Sequence, residues 1–483
     1  MPGPFAQLSS RFRRLESAVN PKSTTDMPPN EGQDAAFDAA FSLAALDAEY
    51  EGLLRSHHDA FTDAPRIAAG SDRLTRTQFE RQRTQHLTAA SRQVLRGDYK
   101  FSGFLEREIP KDDTGDVRTI SVAKIRDVVV QRALYGYLYP AVDARLTDSV
   151  FGYRRGRGAH DAVEAIEAHF KAGLAYVFDA DLKGFFDSLN HDKLKLLIDG
   201  LAVDPRARRL AYRFCRAARV TAPATEATPD GARYPTESRK AGVPQGGVLS
   251  GLLANLYLAS MDDAVRAAGG ALVRYADDFV ICCANQAECE KMRGLVEHSL
   301  SALDITLNPK KTTTCVHAPE GVEFLGFELR PGERRVRRKN VGKFKQRISK
   351  ILSVAEEKGF RRADEALAWI SWRIGLKITG PRAPYIDRMI AKGLVSHPDR
   401  RCWIGFFRIV TDDDQIRELD RWIRSQVSAH MWRLHRTRVR LTHMQAARLP
   451  SLVGQLWKAR ADAPPLPGPT VPTSPPAEDS VAA

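Results

Sequence analysis

The feature that most constrains this chain is a nine-residue apolar run with two acids at its centre, Val273-Arg-Tyr-Ala-Asp-Asp-Phe-Val-Ile281. Apolar residues on both sides of a polar pair predict a β-hairpin bent at the acids. An Asp-Asp pair in such a place is most often simply a turn, because Asp hydrogen-bonds its own backbone. A second acid-bearing segment weakens that reading: Tyr176-Val-Phe-Asp-Ala-Asp181 reads as a buried strand and ends on another carboxylate. Carboxylates held among apolar strand residues are costly to desolvate unless a cation meets them. Two such strands side by side would form an oxygen cage for Mg²⁺, and two hard cations roughly 4 Å apart serve in-line phosphoryl displacement. Strand alternation puts Asp179 and Asp181 on one face, and Asp277 and Asp278 point apart unless the turn lets them converge. Spacing alone therefore keeps all four as candidates.

Charge and cysteine usage narrow the class further. Lys plus Arg number 73 against 59 acids, a net +14, which favours a polyanionic partner such as nucleic acid. Six cysteines without a C-x-x-C pair spell neither a zinc ribbon nor a disulfide framework, and a reducing cytoplasm suits them best. No apolar stretch reaches the roughly 18 residues of a membrane span, so no membrane partner is expected. At 483 residues the chain has room for about three domains.

The order of segments predicts an α+β architecture. Residues 1–40 lack helical period and read as a flexible arm, and the Pro-rich stretch 461–483 reads as a disordered tail. After a mainly helical segment, Phe104–Pro110 and Val117–Ile120 form a hairpin with a basic residue on each arm, Lys111 and Arg118. A helix from Ile125 is expected to stop before Pro140, and Leu249 to about Ala268 should form another. Ten basic residues against one acid lie between Arg330 and Lys350, and a boundary near 330 separates a second, helical region, 331–460, from the region 41–330.

Six blocks occur in order: Ile-Pro-Lys…Arg from Ile109, Asp-Leu-Lys-Gly-Phe-Phe-Asp from Asp181, Pro-Gln-Gly-Gly-Val-Leu-Ser from Pro244, Tyr-Ala-Asp-Asp from Tyr275, Leu-Asn-Pro-Lys-Lys-Thr from Leu307 and Phe-Leu-Gly-Phe from Phe324. Together they resemble a bacterial reverse transcriptase of the group II intron-encoded, maturase-like branch, over about residues 90–330 and more weakly to 440. The resemblance implies a right-hand polymerase, with fingers and palm in 41–330 and an α-helical thumb or maturase-like domain in 331–460. It implies RNA-directed DNA synthesis with two Mg²⁺ ions, dNTP substrates, an RNA template and a DNA or RNA primer. Carried over by position, Asp181 and Asp277 match the metal-binding aspartates and Asp278 is their neighbour, whereas Asp179 has no counterpart. Lys111 and Arg118 match residues that grip the triphosphate, Gln245 lies near the nucleotide and the templating base, and Lys311 is a candidate for protonating the leaving pyrophosphate.

Phe186 falls where the family places an aromatic beneath the incoming sugar, where it would collide with a ribose 2′-OH. Gly251 departs from the Pro that relatives commonly show after the serine, which leaves the start of that helix less constrained. Arg335, Arg338 and Lys345 in the basic run, and Arg421 and Arg424 among tryptophans, are assigned to phosphate contacts. A non-catalytic or dual-role maturase that holds a structured cognate RNA is the alternative, and a domesticated enzyme in antiviral defence or CRISPR spacer acquisition is a further one. Intact Asp181, Asp277, Lys111 and Arg118 favour catalysis, because a pure binder has no need to bury carboxylates beside a polyanion.

Overall fold

The computed structural model describes residues 31–59, 64–65, 67–110, 117–221, 235–380 and 402–461. They divide between two compact units, one formed by the described residues within 31–158, 175–317 and 380, the other by those within 159–174, 318–379 and 402–461.

The first unit is built on a four-stranded antiparallel sheet in the order Thr313–His317, Tyr176–Asp181, Asp278–Cys283, Ala271–Tyr275. Its central strands are apolar because helices cover them: Ser250–Ala267 and Gln286–Ala302 pack against the sheet. Leu252, Leu253, Leu256 and Leu258 of the first helix are buried, as are Phe178, Phe279 and Ile281 of the strands. A second four-stranded sheet carries the hairpin Phe104–Pro110 and Val117–Val122, and Phe104–Pro110 pairs in parallel with Arg219–Thr221.

Two expectations are corrected here. The helix begun at Ile125 does not stop before Pro140 but runs to Asp143. Proline in a last turn leaves only one carbonyl without its partner, and the Ala144 amide still donates to Pro140 O to close the end. The arm expected over 1–40 ends in a helix, Glu31–Ala40, which buries Phe37 edge-on to Tyr137. Residues 1–30 and 462–483 of the expected arm and tail lie outside the described residues.

The second unit joins a three-stranded antiparallel sheet, Val322–Phe324, Phe327–Arg330 and Glu333–Val336, to long helices. Leu325 and Gly326, both at positive φ, make the two-residue turn between its first two strands. Helix Asp413–His435 buries Ile416, Leu419, Ile423, Val427 and Met431, spaced three or four apart along one face. Helix Ala159–Lys171 belongs to this unit: its Glu164 and Glu167 meet Arg334, and His160 packs on Phe327 and Phe406. Among the described residues no helix is long and apolar enough to cross a membrane.

Candidate active site

The carboxylates meet because of strand register. Asp181 lies opposite Asp278 across the central strand pair, and Tyr275 lies opposite Asp278 on the other side. Ala276 and Asp277 are thus the two turn residues, with Ala276 at φ 63°. Leu182 N–H donates to Asp277 O at 3.3 Å, which ties the turn to the end of the neighbouring strand. The hairpin expected over 272–283 forms, and the sequence alternation places Asp179 one pleat below Asp181, paired with Val280.

Crowding of like charge is the main electrostatic fact of the site. Burial, reinforced by Asp179, Asp181 and Asp277, pushes the Asp278 carboxyl up to about 7. Burial and Asp181 raise Asp277 as well, against the pull of Lys311 and Arg118. The Lys311 ammonium sits 2.5 Å from Asp181 Oδ2, and Asn308 N–H donates to Asp181 O at 2.8 Å. The segment carrying Lys311 is therefore stitched to the strand end that carries Asp181. Asp179 proves a contributor to this field, since its charge is the largest of the three that act on Asp278.

The donor set suits divalent cations: Asp181, Asp277 and Asp278 crowd negative charge at one hairpin, and a hard cation would relieve that repulsion. Among the described residues no group of three His, Cys, Asp or Glu is already spaced as a metal cage. The cation beside Asp181 is the Lys311 side chain.

Around the acids, the Pro244–Gly247 loop is held from three directions. Ser121 N–H donates to Gln245 O at 2.8 Å, Val248 N–H to Gln131 Oε1 at 3.0 Å and Ser250 Oγ to Pro244 O at 2.5 Å. Gly246 takes φ 95°, a conformation that disfavours any side chain. Phe186 is half-buried on the short helix Phe185–Ser188, and its carbonyl accepts from Val243 N–H at 2.8 Å, so the loop and the aromatic are linked. Arg118 is exposed on its strand, and its charge is felt at Asp277. Lys111 lies outside the described residues.

In the second unit the expected phosphate contacts separate into two kinds. Arg335 is engaged by Asp412 at 2.8 Å, and Arg424 by Asp420 and Ser451. Arg338 and Arg421 are exposed, as is Arg347, and Lys345 rests its ammonium over Trp422 at 5.3 Å.

Sequence reasoning missed the buried support of the site. Arg274, fully buried, bonds Asp262 through two nitrogens, and its Nη1 donates to Asn255 Oδ1 at 2.9 Å and to Ala276 O at 3.0 Å. The only signal was a polar residue in an otherwise apolar strand and two more on an apolar helix.

A sheet that gathers carboxylates at one hairpin, flanked by a glycine loop and a basic two-stranded arm, is the architecture of a right-hand polymerase. Residues 109–329 match the family model described as "Reverse transcriptase (RNA-dependent DNA polymerase)". Members of that family generally use divalent metal ions. Protein YkfC of Escherichia coli is 26% identical over 314 residues, covering 55% of this chain and 78% of that protein. Group II intron-encoded protein LtrA of Lactococcus lactis is 29% identical over 154 residues, 32% of this chain and 24% of LtrA, so this chain spans about a quarter of it. Among solved structures, apo telomerase from Candida tropicalis superposes with a TM-score of 0.41 at 14% identity, covering 79% of this chain and 68% of that one.

Proposed function

We propose that this chain is an RNA-directed DNA polymerase that extends a primer on an RNA template with dNTPs. The observation that carries this reading is the register that sets Asp181 opposite Asp278, with Asp277 in the adjoining turn. Asp181 and Asp277 would hold two Mg²⁺ ions, with Asp278 beside them; bound there, the ions would activate the primer 3′-OH and offset charge on the departing pyrophosphate. Arg118, together with Lys111, grips the triphosphate and neutralises charge as it develops. Phe186 lies under the sugar and disfavours a 2′-OH, and Gln245, whose carbonyl accepts from Ser121 N–H, lies near the nucleotide and the templating base. Lys311, paired with Asp181 in this structure, would leave that carboxylate to give a proton to pyrophosphate.

The test is Mg²⁺-dependent incorporation of dNTPs on a DNA primer annealed to RNA. Full-length extension is expected, and its absence with every divalent cation tried would overturn the reading. The names of the relatives, intron-encoded proteins and a nuclear intron maturase, support a second role in holding structured RNA. That role predicts RNA binding that survives Asp277→Asn.

A further inference from the structure

Tyr153 lies beside this site and has no part in the reading so far. The residue is 51% exposed, and its backbone takes φ 56°, the left-handed region that a bulky residue rarely adopts. Such a conformation persists only where the surroundings enforce it. Here they do so from both sides. A Cβ on Gly152 would fall 2.4 Å from the Ala276 amide nitrogen, so the loop lies directly on the backbone of the Asp277 turn. Asn255 Nδ2 donates to Gly152 O at 2.8 Å, and the same Asn255 accepts from Arg274, which also holds Ala276 O. Phe151 N–H donates to Arg274 O at 2.8 Å. One buried network therefore fixes the acidic turn and the loop that presents Tyr153.

The ring itself is aimed by a missing side chain. A Cβ on Gly251 would meet three Tyr153 ring atoms at 2.3 to 2.8 Å, so the ring seats in a notch that only glycine leaves open. From that notch it stands edge-on to Phe186, with centroids 6.1 Å apart and planes at 89°. Burial and the Asp277 charge raise the pKa of its hydroxyl, against the pull of Arg118. An exposed aromatic held this rigidly, touching the ring assigned to the sugar, has the form of a pocket wall.

We propose that Tyr153 is a specificity-determining residue of the nucleotide pocket: seated in the Gly251 notch, it sets the position of the Phe186 ring and with it the discrimination against ribonucleotides. The proposal rests on the polymerase reading above. It also accounts for the glycine at 251, since any larger residue there would displace Tyr153.

The experiment measures kcat/KM for dGTP over GTP on one RNA template and DNA primer, with each variant's thermal unfolding midpoint confirming that it folds. Tyr153→Ala should lower the ratio by at least about tenfold, and Tyr153→Phe, which keeps the ring, should hold it within about threefold. Gly251→Ala should lower the ratio in the wild-type background, yet in the Tyr153→Ala background it should add less than about twofold, because its target is gone. A ratio unchanged in Tyr153→Ala, or independent effects of the two substitutions, overturns the proposal while leaving polymerisation intact. Should Tyr153→Ala fail to fold, Tyr153→Leu gives the same reading, with loss of discrimination expected and an unchanged ratio overturning it. A wild type that extends no primer overturns the polymerase reading instead, and this proposal with it.

Discussion

The acidic hairpin of the first unit and the basic run Arg330–Lys350 of the second both concentrate like charge, but they treat it in opposite ways. Around Asp277 the acids are half-buried, crowded and fixed by register, so each has one environment. Along Arg330–Lys350 and Asp413–His435 the cations divide: Arg334, Arg335, Arg337 and Arg424 are engaged by acids, whereas Arg338, Arg347 and Arg421 are exposed. Burial makes a charge's role specific, and a run of exposed charge distributes its role among interchangeable members. Residue identity should therefore matter sharply in the first region and only additively in the second.

The largest effect belongs to the acids. Asp277→Asn keeps the size of the side chain but removes its charge, and primer extension should slow by about a thousandfold, equivalent to about 4 kcal/mol in the barrier. Asp179→Asn, read in the same assay, should cost far less, since Asp179 sits one pleat away from Asp181 and bears on the site through its charge at Asp278. Equal losses in the two variants would erase the distinction between ligand and neighbour.

Stability offers the next contrast. Arg274→Met strands a fully buried Asp262 and should lower unfolding free energy by about 3 kcal/mol or more, read from urea midpoints. Breaking the surface pair Arg433–Glu356 by Arg433→Gln should cost at most about 1 kcal/mol. Restoring part of the loss with Asp262→Leu on Arg274→Met would confirm that the penalty is an unpaired charge rather than a cavity.

Sugar selection sharpens the comparison within the site. Phe186→Ala should reduce the preference for dGTP over GTP by about tenfold, or about 1.4 kcal/mol, while dGTP incorporation survives. Parallel loss of both activities would make Phe186 a packing residue instead.

For the basic helices, joint replacement of Arg338, Arg347 and Arg421 by Gln should flatten the plot of log K against log salt by up to about 3 for a B-form duplex. Arg335→Gln, whose guanidinium is already engaged by Asp412, should barely change that slope. The smallest effect is a pH dependence at His191. Its ring is held neutral by burial while Nε2–H donates to Gly242 O at 2.7 Å. Because burial lowers its pKa in the folded state, the unfolded chain takes the proton first as pH falls below about 6.5. The stability that His191 contributes is therefore present above that pH and lost below it, so the urea-midpoint gap between wild type and His191→Gln should narrow from pH 7.5 to 5.

What could be read from sequence follows the same division. Acids interrupting apolar strands announce themselves, and so do the glycine loop and the basic hairpin. Arg274 does not, because a single cation in an alternating strand looks like a solvent-facing position until its partners, Asn255 and Asp262, arrive from a helix. The contact of Tyr153 with Gly251 is equally silent, since it joins a turn and a helix far apart in the chain through the absence of a side chain. The helix Glu31–Ala40 was hidden by its alanines: only Phe37 marks its apolar face. The basic run was legible as charge, but not which of its members would be consumed by acids.

Helix Ala159–Lys171 has a consequence for how the chain is made. It is synthesised more than 150 residues before Arg334 and Phe406, which its Glu164, Glu167 and His160 contact in the second unit. At roughly 5–20 residues per second, the ribosome needs on the order of ten seconds or more to supply those partners. During that interval Val163, Ile166 and Phe170, buried in the finished protein, have nothing of their own unit to lie against. The order of synthesis thus sets helix Ala159–Lys171 apart from the rest of its unit, which can be completed only after the residues beyond 318 have been made.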